Sequence, residues 1–151
     1  GLFTQIPELI SYIESSPRFC GESGPSQMNV WMGTGGTRTP LHFDSFDNLF
    51  VQIVGAKYVR IYGREETDKL HVIRAKNNQL PESDYGKQGN MSAVNCEIDD
   101  VLGSGKCANS EAREATFKEV VMFPGDCLFI PARAWHYVRG LSTSISVNYW
   151  W

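Results

Sequence analysis

The sequence predicts a mainly β domain, an antiparallel jelly-roll sandwich or barrel, on three observations. Short runs of alternating apolar and polar residues recur along the 151 residues, turn signals separate them, and only one run, at the start, has helical spacing. In chain order, Leu2, Phe3, Ile6, Leu9, Ile10 and Ile13 recur at helical intervals and Pro17 follows as a stop, so a short N-terminal amphipathic helix is expected. Gln27–Gly33, Asn48–Val54 and Lys57–Tyr62 alternate as strands do, and Gly55-Ala56 supplies a tight hairpin turn between the last two. Residues 117–123, 127–130, 135–139 and 143–151 continue the pattern, with turns at Pro124-Gly125-Asp126 and Gly140-Leu141. Residues 74–116 interrupt it. They are polar, rich in Gly, Asn, Ser and Glu, and too long for a simple connection, which predicts an insertion that serves as a lid or a mobile excursion.

A chain of this length holds one domain with one core, so residues 1–151 are read as a single unit with one site. Its Gly1 start predicts that an upstream part of the protein lies outside it. No apolar run approaches the length of a bilayer, which argues against a membrane role. The formal net charge of −3 offers no basic stripe, so no direct nucleic-acid partner is expected. Cys20, Cys96, Cys107 and Cys127 form no CxxC pair and no signal-peptide pattern opens the chain, which predicts free thiols in an intracellular setting, nucleus or cytosol.

Two of the three histidines carry the chemical argument. In Leu41-His42-Phe43-Asp44, residues i and i+2 of a strand share a face, so His42 and Asp44 can meet at one point. HxD alone arises often by chance, and a lone histidine on a strand is more often packed than ligating. The second element raises the odds: Gly125-Asp126, four residues, Pro131, four more and then His136, a turn-strand-turn-strand arrangement that can bring in a third ligand. Two imidazoles and one carboxylate on one face of a metal leave the opposite positions open, the arrangement of non-heme Fe(II) oxygenases.

Lys57 adds an independent argument. Alternation puts it on the side of Val59 and Ile61, and an ammonium on an apolar face needs an anion, which the far carboxylate of a dicarboxylic co-substrate would supply. The plain alternative is a strand-start lysine that reaches water. Asn48 opens the neighbouring strand, and Asn148 shares a face with Ser144 and Ser146, a polar row that either faces water or lines a wet cavity.

Five stretches carry a resemblance: Asn29-Val-Trp31-Met-Gly33, Thr39-Pro-Leu-His42-Phe-Asp44, Val51-Gln-Ile-Val-Gly55-Ala-Lys57-Tyr58, Ile130-Pro-Ala-Arg-Ala-Trp-His136-Tyr-Val-Arg139 and Ser146-Val-Asn-Tyr-Trp-Trp151. From about residue 29 to the end the chain resembles the JmjC family of cupin-like oxygenases. The resemblance implies a double-stranded β-helix, Fe(II) held by His42, Asp44 and His136, and 2-oxoglutarate gripped by Lys57, Thr39 and Asn48. Asn148 matches the pattern of an asparaginyl hydroxylase of the family, and Trp31 an aromatic wall of the same pocket. A tyrosine that the family places upstream of the first strand has no assignable match. The implied activity is a dioxygenase using Fe(II), 2-oxoglutarate and O₂ to hydroxylate a side chain, arginine favoured, of a protein or peptide substrate. Two alternatives stand beside it: a histone N-methyl-lysine demethylase of the same mechanism, and a non-catalytic cupin module that keeps a metal for structure.

Overall fold

The structure is a computed structural model that describes residues 5–13, 18–73, 89–97 and 110–151. Among the described residues lie eight strands: β1 (Gln27–Gly33), β2 (Arg38–Phe43), β3 (Asn48–Val54), β4 (Lys57–Tyr62), β5 (Phe117–Met122), β6 (Cys127–Ile130), β7 (Trp135–Gly140) and β8 (Ser144–Trp150). They pair antiparallel in two four-stranded sheets, ordered β1-β8-β3-β6 and β2-β7-β4-β5, the cupin-like arrangement in which neighbours along the chain fall in opposite sheets, except β4 and β5, which pair with each other. Phe50, Val59, Met122, Ile130 and Ala134 pack between the sheets as the inner core, and burial of such side chains is the main term holding the two layers together.

Seven of the strands fall within a residue of the alternating runs in the sequence. The eighth, β2, is the one that Pro40 hides, because it interrupts the alternation, and the ladder to β7 indeed shifts register between Thr39 and His42. Of the helical run expected at the N-terminus, Gln5 is α-helical and Pro7–Tyr12 form a 3₁₀ segment, beginning at a proline that an α-helix would tolerate only in its first turn; residues 1–4 lie outside the described residues.

Both sheets are covered on their outer faces as well. Cys20, Val147 and Tyr149 pack with Ile13, Met28 and Val30 behind β8. Behind β4 and β7, Tyr62, Trp135 and Tyr137 pack against Leu70, Val94, Cys96 and Ala115. The described parts of residues 74–116, 89–97 and 110–116, supply buried core residues to the second cluster, and Ser92 bridges to Val72 while Met91 bridges to His42. Residues 74–88 and 98–109 of that stretch lie outside the described residues. Among the described residues no helix is long and apolar enough to cross a membrane, and Cys20 and Cys127 carry free thiols.

Candidate functional site

Strand register places the two histidines. His42 near the end of β2 and His136 near the start of β7 are direct partners across the ladder, with ring centroids 4.2 Å apart. Each ring is held through Nδ1, 2.8 Å from the Pro40 carbonyl for His42 and 3.1 Å from the Ala134 carbonyl for His136. A carbonyl only accepts, so both Nδ1 atoms carry the proton and both Nε2 atoms present a lone pair, the tautomer that binds metals.

Asp44 comes from one residue beyond β2, so the expected strand alternation places His42 but not the carboxylate. Its Oδ1 lies 3.9 Å from Nε2 of His42 and its Oδ2 3.5 Å from Nε2 of His136. These separations are too long for good hydrogen bonds, and all three donor atoms lie within 4.8 Å of one another, as ligands around one ion do. Burial has the expected electrostatic effects. Desolvation, with the neighbouring His42 charge second, pushes His136 down to about 3, which keeps it neutral and ligand-ready. Desolvation also raises Asp44 above the usual carboxylate range against the opposing pull of His42, so a cation in its reach would be strongly favourable.

The cluster opens into a cavity of about 470 Å³ between the sheets. All eight residues singled out in the sequence line it: Trp31, Thr39, His42, Asp44, Asn48, Lys57, His136 and Asn148. Thr39 reaches the same cavity as His42 despite the odd spacing, because the β2 irregularity lies between them. Lys57 is 7% exposed, sits 5.4 Å over the Phe50 ring, and has no carboxylate partner among the described residues. Burial alone lowers its ammonium from the ordinary 10.5 to about 8. Oδ1 of Asn48 and Oδ1 of Asn148 are likewise buried without a hydrogen-bond partner. A buried cation and buried amide oxygens without partners in one cavity are costly unless a polar ligand meets them. The donor set fits a first-row divalent ion, and the buried Lys57 ammonium fits the carboxylate of a ligand bound beside it.

Other wall residues escaped the sequence reading. Phe50, Ile130 and Val138 face inward and look like ordinary core, and Met91 comes from the polar stretch, where no periodicity marks it. The lining contains no tyrosine among the described residues, so the family's tyrosine stays unmatched.

Comparison with known proteins agrees with this geometry. A family model for a cupin-like domain matches residues 2–151. Lysine-specific demethylase 8 of Danio rerio is 38% identical over 154 residues, covering 99% of this chain and 34% of that protein. JmjC domain-containing protein F of Dictyostelium discoideum is 35% identical over 164 residues, with 99% and 34% coverage, and Jumonji C domain-containing protein 5 of Drosophila melanogaster is 32% identical over 155, with 99% and 35%. The chain thus spans about a third of the length of the curated relatives it matches. With the two-sheet fold, the converging His-Asp-His donors and these matches in hand, the chain belongs to the cupin-like JmjC family.

Proposed function

We propose that this chain is the oxygenase core of an Fe(II)- and 2-oxoglutarate-dependent enzyme that hydroxylates a side chain, arginine favoured, of a protein or peptide substrate in the nucleus or cytosol. One observation carries the reading: a two-histidine, one-carboxylate cluster shares a cavity with a buried lysine that has no anionic partner among the described residues.

His42, Asp44 and His136 would hold the iron, and Lys57 would receive the far carboxylate of 2-oxoglutarate, with Thr39, Asn48 and Asn148 as flanking hydrogen-bonding groups. When bound, the iron and co-substrate supply the oxidising power, with O₂ consumed and succinate and CO₂ released. The chain's own contribution is positioning and exclusion of water. The carbonyls of Pro40 and Ala134 hold the imidazole protons away from the metal face, and Phe50, Ile130 and Val138 present an apolar wall that strengthens the lysine-carboxylate pairing. Trp31, 37% exposed, and Met32, 67% exposed, line the cavity and offer apolar surface to an incoming side chain.

Hydroxylation as the final product is supported by the resemblance over residues 130–139. The demethylase reading is favoured by the name of the Danio rerio relative, and it shares every residue of the site. The two separate by mass. The full chain is incubated with Fe(II), 2-oxoglutarate and arginine-containing or methyl-lysine peptides, with His42→Ala as control. Succinate formed together with a peptide that gains one oxygen supports hydroxylation. Formaldehyde in step with succinate, and a peptide lighter by one CH₂, installs demethylation.

A further inference from the structure

The two histidines and the carboxylate are not fixed by the same device. His42 and His136 lie within the β2–β7 ladder, whose last pair is Phe43 with Trp135. Asp44 lies beyond that pair, in the loop before β3, so backbone register does not place it. A second set of bonds does. The residues ahead of β7, Pro131 to Ala134, form a tight turn closed by the Ala134 amide donating to the Pro131 carbonyl at 3.0 Å. Arg133 in that turn has φ +65°, whereas Ala132 has no positive φ, the signature of a type II turn with a non-glycine residue at its left-handed position. This conformation turns two consecutive amides toward the Asp44 loop. The Arg133 amide donates to the Asp44 carbonyl at 2.7 Å, and the Ala132 amide donates to Oδ1 of Asp47 at 2.8 Å. Asp47 is itself anchored, because its own amide and carbonyl exchange 3.1 Å hydrogen bonds with Trp151.

We propose that Asp47 is a positioning residue for the metal carboxylate: by accepting the Ala132 amide it clamps the loop carrying Asp44 to the turn leading into His136, and so fixes the Asp44–His136 separation. The proposal rests on the metal-site reading above. It gives a use to the left-handed Arg133, a conformation unfavourable for a non-glycine residue. It also divides the work: sheet register spaces the two imidazoles, and the clamp brings the carboxylate to them.

The test uses Co(II) as probe on the full chain, reading affinity by titration, the ligand field by the visible absorption bands, and the melting temperature of the metal-free protein. Asp47→Ala is expected to weaken Co(II) binding about 10–100-fold, the range for loss of a group that orients a ligand, and to change the absorption bands. Asp47→Asn keeps an oxygen at the same place and is expected to stay within about threefold of wild type. Ala132→Pro removes the donor from the other side, at a turn position whose φ suits proline, and is expected to reproduce the Asp47→Ala loss. It carries the test should Asp47→Ala fail to fold. The double variant is expected to bind no worse than either single one, because both remove one bond. Wild-type affinity and spectrum in Asp47→Ala and Ala132→Pro, with only the melting temperature lowered, would overturn the clamp. So would an equal loss in Asp47→Asn, which would assign the effect to charge. Failure of the wild-type chain to bind Co(II) would instead overturn the metal site itself, and the clamp with it.

Discussion

His42 and His136 face each other across the β2–β7 ladder, 4.2 Å between ring centroids, each tied through Nδ1 to the carbonyl two residues before it. Two converging lone pairs thus arise from one register and one repeated local bond. Replacing either histidine by alanine is expected to reduce bound metal to background by elemental analysis, a larger loss than the roughly 10–100-fold that removal of an outer-shell partner costs. The far-UV circular dichroism is expected to survive, since the sheets are held by backbone ladders and three apolar clusters rather than by an ion. Full metal content in His136→Ala would remove that residue from the site.

Gly55 sets the start of β4, and with it Lys57. Its φ of +71° is in the left-handed region, and a Cβ there would lie 2.0 Å from the Thr143 carbonyl oxygen. Gly55→Ala must therefore move backbone as well as bear about 1–2 kcal/mol of conformational cost. A melting temperature lower by at least roughly 2–8 °C is expected, at about 2–4 °C per kcal/mol for a domain of this size, and an unchanged value would mean that the hairpin yields freely.

Most of this fold was legible because a two-residue period survives in a sheet that buries one face. Lys57 could be placed beside Val59 by alternation alone, and the structure keeps it on the inner wall with Phe50. Legibility ended where backbone regularity ended. Asp44 was expected to share a strand with His42 and instead depends on loop hydrogen bonds, which leave no periodic trace. Val94 and Cys96 sit in a stretch whose average composition is polar, and nothing local marks them as the cover of Tyr62 and Tyr137. Nothing local in the sequence marks Asp47, because its partner is 85 positions away.

Ser92 shows that the described part of residues 89–97 is structural. Its hydroxyl donates to the Leu70 carbonyl and accepts the Val94 amide at 2.9 Å, all of it buried. Ser92→Ala leaves both backbone groups without that partner, so a loss of about 1–3 kcal/mol is expected in urea unfolding. No measurable loss would mean that the segment only rests on the sheet.

Lys57 offers a prediction in which binding and pH are linked. Burial lowers its ammonium to about 8 in the ligand-free fold, against an ordinary 10.5 in the unfolded chain. Between those values the unfolded chain holds the extra proton, so this group makes the ligand-free protein more stable as pH rises from about 8 toward 10.5. A carboxylate beside the lysine favours the charged form and raises its pKa again. Binding of 2-oxoglutarate is then expected to take up a proton above pH 8, with affinity falling by up to about tenfold per pH unit there. Lys57→Met should weaken 2-oxoglutarate by roughly 2–5 kcal/mol, about thirtyfold or more, and erase both pH dependences. It should not destabilise the ligand-free fold, because it removes a buried charge that has no carboxylate partner among the described residues. Calorimetry at pH 7.5 and 9 in buffers of differing ionisation enthalpy reads the proton directly. No proton uptake at pH 9, together with wild-type affinity in Lys57→Met, would return this lysine to a purely structural place on β4.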